Sequence, residues 1–138
     1  MAIDFSQIAF EAVQPLKNSV DEIAIDIPSD LRFDKRTMIL VGESDHEPNE
    51  SDLTVQAYWI STIEILVMGP DRTRCRDLCL QAFQLIAEKF YSMIDRENGP
   101  IHDIARGNKY IGAAAFGGVL IDGYGARRTL LIHNTLEP

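Results

Sequence analysis

Three histidines, two cysteines and an acid-rich stretch are the residues of this 138-residue chain most able to do chemistry. Ser44, Asp45 and His46 are consecutive, so nucleophile, orienter and base stand too close along the chain to adopt a triad geometry among themselves. Cys75 and Cys79 are four apart in a stretch with helical spacing, which puts both thiols on one stripe, a turn apart. Either could couple to His102 or His133 only if the fold brought distant segments together. A zinc site would need two further ligands, and no neighbour supplies them, so the cysteines read as small reduced core residues. Asp45, His46, Glu47, Glu50 and Asp52, with His102 and Asp103 elsewhere, offer hard metal ligands, but their spacing matches neither a calcium-binding loop nor HExxH. Gly112, Gly117, Gly118, Gly123 and Gly125 invite a phosphate cradle, yet neither GxGxxG opening a helix nor GxxxxGK[ST] is present. These residues point to no catalytic group, no metal and no cofactor.

Charge is more informative. Twenty-one acids against thirteen Lys and Arg give a net charge of −8, which argues against a general nucleic-acid binder. The imbalance is uneven: residues 1–70 hold 13 acids and 4 bases, residues 71–138 hold 8 acids and 9 bases, so the parts stand at −9 and +1. Such polarity suits head-to-tail assembly, though monomers have it too. No apolar run approaches the roughly 20 residues of a membrane span, and the start MAIDFSQIAFEAVQ has no basic segment ahead of its apolar residues. A cytoplasmic protein is expected.

The elements that must position these groups follow from periodicity. Asp4 and Gln7 have capping-box spacing, with Ile3 and Ile8 as a hydrophobic staple. Ile8, Ala9, Ala12, Val13 and Leu16 then form a helical stripe ending near Gln14, because Pro15 does not sit inside a helix. Val20 to Ile27 alternates and is stopped by Pro28, and Thr37 to Val41 is a second strand, ended by Gly42. ESDHEPNESD carries five acids and no Lys or Arg, the composition of a long, solvated hairpin loop. Thr54 to Met68 is the strongest strand. Val55, Ala57, Trp59, Ile63, Ile65 and Val67 share one face, with Ser61 the exception. This strand is long enough to bend or project as an arm.

After Gly69-Pro70, Asp71 caps the longest helix, which runs to about Ile94 with apolar residues at i, i+3, i+4 spacing. Arg72, Arg74 and Arg76 crowd its first turn, where the helix dipole disfavours cations, so helix stability does not explain them. IHDIARGNK connects to a final strand pair, with a hairpin turn at Asp122-Gly123-Tyr124-Gly125, and Arg127 and Arg128 follow on opposite faces. The expected fold is one α+β domain over residues 1–138. It has a mostly antiparallel mixed sheet, a long helix and a short N-terminal helix packed on it, and a C-terminal β-hairpin.

The whole order resembles the tail terminator proteins of long-tailed bacteriophages. The likeness lies in a short helix, the strand TMILVG, a polar acidic hairpin loop, the long strand LTVQAYWISTIEILVMGPD, the helix RTRCRDLCLQAFQLIAEKF and the closing strands. It covers nearly the full chain and is one of architecture rather than of a short motif. The Gly/Ala-rich run Gly112 to Gly118 and the strongly acidic loop are not features the family requires. The resemblance implies a structural, non-enzymatic protein whose copies form a ring, most often of six, on the growing end of the tail tube. The ring halts tube polymerisation and joins the tail to the head or its connector. It also implies partners in the tail tube protein and a neck or connector protein, with no membrane. The protein would be found in the host cytoplasm during assembly and then in the virion tail. DNA would only pass through the pore, whose acidic lining would repel phosphates.

On this reading the interface residues are Arg72, Arg74 and Arg76, meeting Glu43, Asp45, Glu47, Glu50 and Asp52 of a neighbouring copy. Tyr58 and Trp59 lie on a strand that extends the sheet into that neighbour, and Arg127 or Arg128 is a further contact. Two alternatives stand beside it. One is another neck, head-completion or baseplate component. The other is a small α+β enzyme or ligand-binding domain using the Gly-rich hairpin with His102 or His133.

Overall fold

A computed structural model describes residues 3–25, 36–48, 59–95, 97–116 and 119–135, with the backbone alone from 111 to 122. Asp4 opens the first helix, α1 (Phe5–Ala12), by accepting a hydrogen bond from Gln7 N at 3.1 Å. The reciprocal half of a capping box is not made, because the Gln7 side chain turns forward to Glu11. Pro15 sits inside a 3-10 turn, Gln14–Leu16, that ends this segment. Tightening the last turn accommodates a proline that an α-helix interior would not.

The sheet contains β1 (Glu22–Ile25), β2 (Met38–Pro48), β3 (Trp59–Gly69), β4 (Ile101–Phe116) and β5 (Val119–Asn134), in the spatial order β1-β2-β3-β5-β4. Among the described residues only β1 and β2 pair in parallel, and the other pairings are antiparallel. Between β3 and β4 lies α2 (Arg72–Ser92), capped by Asp71, whose Oδ1 accepts from Arg74 N. Its buried stripe is Cys75, Leu78, Cys79, Ala82, Phe83, Ile86 and Phe90, the i, i+3, i+4 set that covers a sheet. It packs with Phe5 and Ala9 of α1 and the C-capping Val13 against Ile39, Val41, Ile63, Ile65, Val67, Leu130 and Ile132. The other face of the sheet holds a smaller cluster, Met38, Leu40 and Met68. The α+β class, the long and short helices and the closing hairpin are therefore present as expected. Among the described residues no helix is long and apolar enough to cross a membrane.

Three expectations need correction. The acidic stretch does not begin a loop after Gly42, because Glu43 to Pro48 continue β2 and pair with Ile63 to Trp59, across one register shift between Glu43 and Asp45. IHDIARGNK is part of β4 rather than a connection. The closing turn is not at Asp122-Gly123, since Phe116 already pairs with Val119 and the Asp-Gly pair falls where β5 opposes the register shift at Ala113/Ala115. A bulge and a tight turn favour the same small and turn-forming residues, so composition alone does not separate them. β3 ends at Gly69 opposite Tyr124, so among the described residues β4 alone lies beside residues 119–123 of β5. The described two-stranded overhang, about 17 Å at ~3.4 Å per residue, thus belongs to the last hairpin, while the residues that would carry an arm beyond Trp59 lie outside the described ones. Glu50, Asp52 and Tyr58, and the ends of the two strands expected at 20–27 and 54–68, lie outside the described residues.

Candidate functional site

Among the groups with catalytic potential, His46, Ser61, Cys75 and Cys79 are held in structural positions. His46 is brought level with Ser61 by the β2–β3 register, and His46 Nδ1 lies 2.5 Å from Ser61 Oγ. A serine paired with a histidine looks like a nucleophile and base, but Ser61 is 0% exposed. Its hydroxyl also accepts from Asn134 Nδ2 at 3.1 Å, and Asn134 in turn donates to Ile132 O. A hydroxyl sealed in this way offers no approach to a substrate, and its oxygen serves to join β2, β3 and β5 through one polar knot. Trp59 stacks on the His46 ring at 5.1 Å, while Glu43 Oε1 lies 3.6 Å from Nδ1. Partial burial pushes the Glu43 carboxyl up, opposed by the neighbouring His46. The one polar interruption in the apolar face of β3 was the sequence signal for this knot; its partners, 15 and 73 residues away, left none.

Ser44 bonds Thr62 O, and Asp45 takes the backbone N–H of His46, so neither orients the imidazole as a triad would. Among the described residues no group of three His, Cys, Asp or Glu side chains is arranged to hold a metal ion. Cys75 and Cys79 are buried and unbridged, with Sγ atoms directed at Tyr124 O and Ile65 O. Burial, the largest cause in each case, pushes the Cys75 thiol up to about 11 and the Cys79 thiol up to about 12. Thiolate is the reactive form, so a thiol-specific disulfide reagent near pH 8 should label the folded protein at least about tenfold more slowly than the urea-unfolded chain. The stability consequence has a definite sign. A thiol pKa raised above its ordinary 9.0 means the unfolded chain loses the proton first. Stability is whole below about pH 9 and declines as pH rises toward about 11 to 12. Urea melts across that range check it.

What the fold does organise is charge at its edges. β1 covers only Met38 to Val41 of β2, so among the described residues no strand covers the outer side of β2 from Glu43 onward. Glu43, Asp45 and Glu47 are all exposed there. Glu43 is level with Ile63, Ile63 with Leu130, and Leu130 with Arg106 on β4, the opposite edge. Three strand spacings, about 14 Å, therefore separate an acidic edge from a basic one. At the basic edge a register shift between Arg106 and Lys109 inserts an extra residue. Side chains three apart, which would normally face opposite ways, now both fall on the helix-bearing side, since their partners Leu130 and Arg128 do.

Arg106 and Arg128 place their guanidinium carbons 5.9 and 5.7 Å from the centre of the same Phe83 ring. Arg127, on the other face as expected, pairs with Glu64 at 3.3 Å. Of the three arginines at the start of α2, Arg74 donates to Ser19 O and Arg76 pairs with its neighbour Asp77, while Arg72 is exposed. They lie at the Gly69 end of β3, about 20 Å along the strand from the position facing Glu43. Backbone ladders are not what these edges offer at every point, because Asp45 takes the His46 N–H on one and Asp103 the Ile104 N–H on the other. Carboxylate blocking of this kind discourages strand addition. No protein-family model and no curated protein matches the sequence.

Proposed function

We propose that the protein is a structural assembly subunit of the tail-terminator kind. Identical copies associate head to tail into a ring that caps a tail tube, stops its polymerisation and joins it to the head. The observation that carries this reading is the placement of opposite charges on opposite edges of one sheet. An acidic edge repels its own copy and attracts the basic edge of the next, so a symmetric two-fold contact is disfavoured and a repeating head-to-tail contact is favoured. Such contacts close when the rotation between copies divides a full turn. The phage context rests on the architectural resemblance, which also supplies the tube, the connector and the passage of DNA. In this account the buried Ser61 and the raised cysteine pKa values belong to the scaffold and take no part in catalysis.

Charge-driven closure has a direct solution signature, because exposed pairs weaken as the screening length falls from about 10 Å at 0.1 M salt to about 3 Å at 1 M. Native mass measured at low salt should give one defined multiple of the subunit mass, and raising the salt toward 1 M should dissociate it. A dimer unchanged by salt would contradict the reading and favour an enzyme or ligand-binding domain.

A further inference from the structure

We propose that the hollow between α2 and β4, floored by Phe83 and rimmed by Arg106, Arg128 and Lys109, is the receptor for the acidic β2 edge of the adjacent copy. The inference rests on the head-to-tail reading and names the contact that would carry it. Two guanidinium groups gathered over one aromatic ring repel each other, and neither forms an ion pair with a described residue. Stacking on the ring offsets part of that repulsion. An incoming carboxylate would offset the rest and could be held by both forks.

The hollow has room for a docking side chain. A groove of about 520 Å³ runs along Ala87, Tyr91 and Ile104 to Arg106, with Glu88 on its helix side. A second hollow of about 220 Å³ continues past Arg106 to Lys109 and Arg128. The Phe83 ring on the floor shields one side of any pair formed there from water.

Charge complementarity within the chain identifies the occupant. Arg36, Arg76 and Arg127 are already paired with Glu22, Asp77 and Glu64. Asp45 and Glu47, both exposed, form no ion pair with a described residue. Asp45 and Glu47 thus stand on one edge and Arg106, Lys109 and Arg128 at the other, too far apart to meet within a subunit. The notable shift from the sequence expectation is in the basic partner, which is the β4 edge rather than the first turn of α2.

The test uses the full-length chain with exposed charges reversed on one edge at a time. Arg106→Glu/Lys109→Glu and Asp45→Arg/Glu47→Arg should each keep the wild-type circular dichroism spectrum and raise the dissociation constant of the assembly about tenfold or more. Mixing the two variants, or combining all four changes in one chain, should restore assembly, since each reversed edge then meets its complement. Wild-type assembly by either variant, or folded variants that fail to recover on mixing, would overturn the contact while leaving a ring intact. Loss of binding to inorganic phosphate or to a single-stranded oligonucleotide in Arg106→Glu/Lys109→Glu, with assembly unaffected, would reassign the hollow to phosphates and also overturn it. A wild-type chain that stays monomeric, together with a variant mixture that stays monomeric, would instead remove the head-to-tail reading itself.

Discussion

Replacing Phe90 with alanine should lower the unfolding free energy by about 3 to 5 kcal/mol, a large share of the ~5 to 15 kcal/mol typical of a domain. Phe90 is 0% exposed and meets Phe5 edge to face, with ring centres 5.7 Å apart. It therefore fills the last turn of α2 and clamps α1 onto it, and its removal leaves a void that two helix ends cannot both close. Losing the edge-to-face pair adds to the loss of buried area. Phe90→Leu keeps most of the volume and should recover much of the stability. Tyr91→Ala next door, at a residue 71% exposed, should cost less than about 0.5 kcal/mol. Urea denaturation of the three variants decides it, and a Phe90→Ala chain within about 1 kcal/mol of wild type would mean that α1 is not docked as described.

The second large effect is expected at Gly107, in the bulge that turns Lys109 to the same side as Arg106. A β-carbon there would fall onto Thr129 Oγ1 and stand 3.1 Å from Thr129 Cβ and 3.4 Å from its carbonyl oxygen. Thr129 in turn donates to Asn108 O at 3.4 Å, which helps pin the bulge. Gly107→Ala should therefore cost about 1 to 3 kcal/mol through overpacking on the edge strand. Thr129→Ala removes the closest atom, so Gly107→Ala should cost less in that background, with a coupling of at least about 0.5 kcal/mol. Additive costs would show that the clash is not the cause. Because the same bulge aligns the basic edge, Gly107→Ala should also weaken self-association measured at a temperature where the variant remains folded.

Much of the scaffold was legible because single elements carry their own periodicity. The stripe from Cys75 to Phe90 announces a sheet-covering helix, and the alternation from Ile63 to Val67 announces a strand buried on one face. The continuation of β2 was hidden for a physical reason. Asp45 and Glu47, with the partly buried Glu43, line an edge open to water, where polar side chains cost little, so the stretch has loop composition while its backbone still pairs with β3. Interstrand hydrogen bonds, which no side-chain pattern records, decide such a segment. The charged edges were half legible. The acids lie within five residues of sequence, but Arg106, Lys109 and Arg128 are joined only by the β4–β5 register and a bulge, and Phe83 reaches them from a helix. The polar knot of His46, Ser61 and Asn134 is likewise a product of register across three strands.

Negative-stain microscopy of the purified full-length protein at low salt, with and without millimolar magnesium to screen the acidic subunits, tests the central claim most directly. Head-to-tail closure through the two charged edges predicts ring particles of a single diameter with an open pore. Compact particles without a pore, their measured mass that of a dimer at every concentration, would contradict it.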